Sequence, residues 1–279
     1  MSIKIVTDST CDIPKALVEQ YDITVVPSYV NIGDQSYLDG IDISRDEFYD
    51  NLPHYKHHPT SAAPSPAVFT QAYEDAAERG ATEVLAIHVS STFSSFLNNA
   101  SLGAEATDKI PVTMFDSQQL TMALGFQVLT AARMAEAGES MDNITAYLNQ
   151  LRPHCHTYCM VESLDSLRRG GRVNWLQMGV SSLLNIKPII HVYEGEVLQA
   201  TRVRTRKKAI AKMIELAADS GPITHVALLN SNSDDYEDMQ ALMMPHIPAE
   251  AEVVRTVACP AIGVHVGAKA LGVVVVTAV

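Results

Sequence analysis

The sequence predicts an α/β protein of two domains: an N-terminal three-layer α/β/α unit with a parallel sheet, and a C-terminal α/β unit with a mixed sheet. Three observations carry this. Short apolar runs alternate with helix-like segments as far as Leu151, the pattern of a largely parallel sheet covered on both faces. After residue 155 a hairpin-like pair of strands breaks that alternation. And 279 residues, 47% of them hydrophobic, suffice for two compact cores. The expected domains are residues 1–155 and 156–279.

Taken in order, Ile3-Lys4-Ile5-Val6 is a first strand running into "TDSTCDIP", where Asp12 is placed to cap a helix opened by Pro14. Ile23 to Tyr29 reads as a second strand. In "PSPAVFTQAYEDAAERG", Ser65 caps and Pro66 opens a helix whose Phe69, Tyr73 and Ala76 share one face, and Gly80 ends it. Val84 to Val89 is a strand, Ser94 to Thr107 a helix, and Val112 to Phe115 a strand; helices follow over Leu120 to Ala137 and Met141 to Leu151. In the second unit Cys155 to Val161 is a strand and "SLDSLRRGGRV" a short helix with a glycine stop. "KPIIHVYEGEVLQATRV" is a hairpin turning at Glu194-Gly195. A basic-faced helix from Thr205 to Ala218, a strand from His225 to Leu229, another helix, one more strand and "GVVVVTAV" complete the unit.

A formal charge of -12 argues against a general nucleic-acid binder and against docking on anionic membranes. No apolar run is long enough to span a bilayer, and "MSIKIVTDST" lacks the regions of a signal peptide, so the expected compartment is the cytoplasm. The cysteines Cys11, Cys155, Cys159 and Cys259 fit a reducing environment. "HCHTYC" gathers His154, Cys155, His156 and Cys159, but without a CxxC pair it reads as a strand whose side chains alternate between faces, and no metal is expected. "HYKHH", His54 to His58, reads as a solvated loop.

Strand ends in such sheets are where ligands sit, and here they carry hydroxyls: Asp8-Ser9-Thr10, Ser90-Ser91-Thr92 with Ser94 and Ser95, and Asp116-Ser117. GxxxxGK[ST], GxGxxG, GxSxG and HExxH are all absent. The hydroxyls point to a carboxylate or phosphate gripped at a helix start, where free N–H groups add to the attraction. A serine nucleophile remains open at this stage, as does simple helix capping. "CPAIGVHVGAKALG" surrounds His265 with small residues, as a close backbone approach requires.

The segments "KIVTDSTCDIP", "PTSAAPSPAVF", "SSTFSSFLNNA", "DSQQLTMALG", "SLRRGGRV", "LNIKPII", "RVRTRKKA" and "CPAIGVHVGAKALG", in that order from residue 3 to residue 272, resemble the DegV family of bacterial fatty-acid-binding proteins. The resemblance implies a DegV-like fold with a long-chain fatty acid between the domains. The acid would be presented to a separate fatty acid kinase for acyl-phosphate formation in phospholipid metabolism, with no other cofactor and no nucleotide site of its own. Matched residue by residue, Ser61, Ser94, His265 and Arg204 would hold the carboxylate. Here the family's TSQ is Ser61-Ala62-Ala63, its glycine after the motif serine is Ser95, and its GPG after the histidine is Gly267-Ala268-Lys269. The tail would lie among Phe93, Phe96, Leu97, Met122, Leu124, Phe126, Leu164 and Ile189. Arg168, Arg169 and Arg172 would face a kinase's phosphates or an acidic partner surface, or form a solvated turn. The competing readings are an acyl hydrolase or transferase using Ser94 with His265, and a lipid-responsive regulatory protein.

Overall fold

A computed structural model describes residues 2–173 and 187–279. The chain opens with β1 (Ile3–Asp8), α1 (Lys15–Gln20) and β2 (Thr24–Val26). The apolar stretch expected to be one strand then breaks at Pro27-Ser28. Its continuation, β3 (Tyr29–Ile32), pairs antiparallel with β4 (Gln35–Leu38) and with β5 (Thr60–Ala62) in a separate small sheet, with α2 (Arg45–Asn51) between. Next come α3 (Pro66–Glu78), β6 (Glu83–His88), α4 (Phe96–Glu105), β7 (Val112–Asp116), α5 (Thr121–Glu136) and α6 (Met141–Leu151). Strands β1, β2, β6 and β7 form a parallel sheet in the order β2-β1-β6-β7.

From residue 155 the chain builds a six-stranded mixed sheet. Its strands are β8 (Cys155–Met160), β9 (Lys187–Tyr193), β10 (Glu196–Val203), β11 (Ile223–Asn230), β12 (Glu252–Val257) and β13 (Leu271–Thr277). They lie in the order β10-β9-β8-β13-β11-β12, and only β11 and β12 pair in parallel. The helices among the described residues here are α7 (Asp165–Gly170), α8 (Arg206–Ala218), α9 (Tyr236–Met243) and α10 (Pro260–Val266). The "LNIKPII" motif lies partly outside the described residues, at positions 184–186.

Local chemistry accounts for most element ends. Thr205 caps α8 by accepting from Lys208 N–H, and Gly171, left-handed at φ 67°, stops α7. Glu194 and Gly195, with φ of 46° and 77°, make the two-residue β9–β10 turn. Asp12 does something other than cap α1, whose cap position is Pro14 and which has no side-chain cap bond. It is fully buried and left-handed at φ 53°. Its carboxylate accepts from Thr121 Oγ1 (2.6 Å) and Cys259 N–H (2.8 Å), and Arg45 Nη1 lies 3.3 Å away. Burial pushes the Asp12 carboxyl up to about 6, against the pull of Arg45. Ser65 occupies the cap position of α3 but makes no cap bond; Pro66 opens that helix as expected.

Helix α5 explains why the two sheets act as one body. Leu124, Phe126, Val128 and Leu129 share a core with Ile5 and Leu85 of the parallel sheet and with Ala227 and Val274 of the mixed sheet. Truncating Leu124, Phe126 or Leu129 to alanine costs about 2–5 kcal/mol. Arg133 on α5 adds a bidentate pair to Glu252 of β12, at 2.7 and 2.9 Å.

Candidate functional site

Between the two sheets lies a cavity of about 380 Å³, within the roughly 300–1,000 Å³ of small-molecule sites. Its wall on one side is the mixed sheet, through Ile190, Val192, Cys159, Gly272 and Leu229. Opposite are Val89, Phe93, Phe96 and Leu120 from the connections around the parallel sheet. Most of this lining is aliphatic or aromatic. Ser61, Ser94, Ser95, His265 and Arg172 also line it.

Ser61 sits in the middle of β5, where pairing with Val30 of β3 fixes it, and its Oγ lies 3.0 Å from His265 Nε2. His265 comes from the last turn of α10. Three groups fasten the start of that helix to the N-terminal half. Asp12 accepts from Cys259 N–H, the buried Asp39 carboxylate accepts from the Cys259 thiol and Ala261 N–H, and Tyr49 Oη donates to Ala258 O at 3.0 Å. The residue facing the other side of the imidazole is Gly170. A Cβ there would fall 2.2 Å from His265 Nδ1, so α7 closes onto the ring only because it ends in glycine. Nδ1 is buried with no hydrogen-bond partner among the described residues. Burial, helped by the positive Arg172 and by His58, pushes the His265 imidazole down to about 4, so the ring is neutral at pH 7. His58, read in the sequence as part of a solvated loop, is half-buried, and its ring bonds the Val264 backbone on α10.

The hydroxyl run divides its labour. Thr92 Oγ1 donates to Gly195 O at 2.5 Å and also bonds Ser90 Oγ (2.9 Å), so these two hold the β9–β10 turn against the N-terminal half. Ser91 Oγ donates to Asp116 at 2.5 Å. Ser94 faces the cavity, and its Oγ accepts from Phe96 N–H (3.3 Å), as a residue opening a helix does. Helix α4 itself starts at Phe96, two residues later than its sequence suggests. Arg172 completes the frame, its guanidinium donating to Phe93 O (3.3 Å) and Gly170 O (2.6 Å).

This arrangement of two α/β halves around an apolar cavity with serines and a histidine can be compared with known proteins. The DegV family model, described as one of uncharacterised proteins, matches residues 2–278. The chain belongs to the DegV family. A DegV domain-containing protein of Listeria innocua is 34% identical over 97% of this chain and 96% of its own length. Protein DegV of Bacillus subtilis is 32% identical over 98% of both. Among solved structures, a fatty-acid-binding DegV family protein from Thermus thermophilus has a TM-score of 0.91 at 30% identity, covering all of both chains. DegV from Bacillus subtilis, described as a fatty acid binding protein, has 0.90 at 30% identity, again over both whole chains. A stearic acid-binding protein from Eubacterium ventriosum has 0.89 at 25% identity, covering 99% and 98%.

Within this DegV fold, the structure brings Ser61, Ser94 and His265 to one cavity and leaves Arg204 out. Arg204 is exposed just past the end of β10 and is not among the lining residues, whereas Arg172, a candidate for partner contact, is. Arg168 and Arg169 are exposed on α7. Of the tail-wall candidates, Phe93 and Phe96 line the cavity. Met122, Leu124 and Phe126 are core residues instead, because α5 is buried between both sheets. Ile189 is on the far face of the mixed sheet, packed with Met160 and Ala209, since its neighbour Ile190 faces in. Leu97 and Leu164 are half-buried outside the lining, Leu164 packing against the cluster around Leu167. Gly272 belongs to the glycines around His265 that suggest a close backbone approach, and Gly170 to the RRGGR turn; nothing in the sequence marks Cys159 as facing the cavity. Strand β8 does alternate as its sequence suggests, and among the described residues no three His, Cys, Asp or Glu side chains are grouped to hold a metal. No described helix is long and apolar enough to cross a membrane.

Proposed function

We propose that this protein binds a long-chain fatty acid in the cavity between domains 1–155 and 156–279, and hands its carboxyl group to a separate fatty acid kinase in the cytoplasm. The observation that carries this reading is the Ser61–His265 pair at 3.0 Å facing an otherwise largely apolar cavity. With neutral His265 donating its Nε2–H to Ser61 Oγ, the hydroxyls of Ser61 and Ser94 are each free to donate one hydrogen bond to a carboxylate, and the Arg172 guanidinium stands at the same wall to balance its charge. A tail of sixteen or so carbons supplies about 0.8 kcal/mol per buried methylene, ample against the cost of immobilising it. The fatty acids named for similar DegV structures favour the same ligand class. Carriage rather than hydrolysis is favoured because His265 Nδ1 lacks the acceptor that orients the base of a serine triad, among the described residues. The absence of phosphate-loop motifs favours a carrier that takes its nucleotide chemistry from a partner.

Native and solvent-extracted mass spectrometry of the purified protein tests this. The expected result is one fatty acid per chain in the wild type. Retention should fall about 10- to 100-fold in Ser61→Ala/His265→Ala, as the charge-assisted hydrogen bond offered by the pair is removed. A folded wild type that holds no fatty acid and takes up none when offered it would falsify the reading. Turnover of an activated ester that is lost in Ser94→Ala would replace it with the hydrolase expected to use Ser94 with His265; loss in Ser61→Ala instead would give that role to the serine bonded to His265.

A further inference from the structure

The wall that the mixed sheet presents to the cavity has an uneven relief. In one register row across four strands stand Ile190 (β9), Cys159 (β8), Gly272 (β13) and Leu229 (β11), and all four line the cavity. Two large side chains therefore flank two small ones, leaving a trough one strand-pair wide in the sheet face. Along β13 the trough continues toward Ala270, which also lines the cavity. In the other direction it stops: the next inward residue of β13 is Val274, completely buried in the core beneath α5. Thr157, which pairs with Val274, lines the cavity there and is held from behind by Gln119 Oε1 at 3.2 Å. Gly272 has no special backbone need for glycine, being an ordinary strand residue without positive φ. A Cβ there would stand 3.3 Å from Leu229 Cβ and 3.5 Å from its Cδ1, so any larger side chain fills the trough from Leu229 outward. A glycine weakens a strand interior, and the return here is space.

We infer that the small side chains at 159 and 272 set which acyl chains this protein accepts, by giving a long tail a trough to lie in against the sheet. The inference rests on the fatty-acid reading above. Filling the trough removes room for tail methylenes while leaving the Ser61–His265 end untouched. Longer acids are then penalised more than shorter ones, about tenfold for the loss of two methylenes' burial.

The test offers delipidated protein an equimolar mixture of dodecanoate and hexadecanoate and reads the bound acids by native mass spectrometry. Wild type should favour hexadecanoate. Gly272→Val should lower the hexadecanoate-to-dodecanoate ratio about tenfold. Cys159→Leu, which fills the trough without changing a glycine, should move it the same way and carries the test if the valine variant does not fold. Val273→Ala, on the opposite face of the sheet, should lower the melting temperature and leave the ratio alone. An unchanged ratio in the folded, lipid-bearing Gly272→Val and Cys159→Leu proteins overturns the inference and leaves the fatty-acid reading standing. Loss of both acids from both folded variants also overturns it, because a length filter spares the shorter chain. A wild type that retains neither acid overturns the fatty-acid reading, and this inference with it.

Discussion

The two faces of the six-stranded sheet are made by the same strands one residue out of step, and they do opposite things. Toward the cavity the row Ile190, Cys159, Gly272, Leu229 is half-empty. One residue along, the row His191, Tyr158, Val273, Leu228 points away and is filled. Val273 and Leu228 pack in the core that α8 and α9 cover, and Tyr158 stacks on His191 at 4.3 Å and 8°. The stacking continues diagonally to His156 and Tyr193, at 5.0 Å and 1°. Burial holds His191 down at about 4, so this ladder carries no charge near neutrality. A strand can thus spend one face on stability and leave the other incomplete for a ligand, because adjacent residues never compete for the same side.

That contrast can be broken or sharpened by substitution. Ile189→Ala, on the filled face and fully buried, should lower the unfolding free energy by about 2–5 kcal/mol in urea titrations. The profile of bound acids should not change; a shifted profile would mean that the two faces are not independent. The second prediction concerns Asp12, which helps hold the cavity face against the N-terminal half. Its folded pKa, about 6, lies above the ordinary 3.8. The stability it contributes is therefore fully present below 3.8 and lost as pH rises through 6. The difference in unfolding free energy, wild type minus Asp12→Asn, should fall by about 2 kcal/mol between pH 4 and 7. A difference that stays flat or rises over that range would show that Arg45 outweighs burial. The smallest effect is expected at Leu198, beside His191 on the edge strand β10 and 39% exposed. Leu198→Ala should change stability by no more than about 0.5 kcal/mol; a larger loss would mean that the edge of the filled face is covered in solution.

What the sequence made legible follows the range of the interactions involved. The β9–β10 turn, the Thr205 cap and the glycine ends of α3 and α7 are local chemistry, and they stand where the residues put them. The meeting of Ser61 with His265 spans 204 positions; only resemblance to a family suggested it. Parity separated Ile190 from Ile189, and parity depends on which partners a strand finds. Met122 and Phe126 look the same in sequence whether they line a tunnel or fill a core, and a helix buried between two sheets decides for the core. The five hydroxyls of the Ser90–Ser95 loop looked like one device. They are several, because a turn from the other half of the protein and the Asp116 carboxylate both lie within reach of the same loop.

The fastening of α10 has a consequence for how the protein is made. The helix that carries His265 is among the last elements of the chain, yet its start is tied to Asp12, Asp39 and Tyr49, and its histidine to Ser61. During vectorial synthesis the parallel sheet is complete long before these partners arrive. A nascent chain can therefore hold every strand of the parallel sheet and still lack the Ser61–His265 pair until the residues past His265 have left the ribosome.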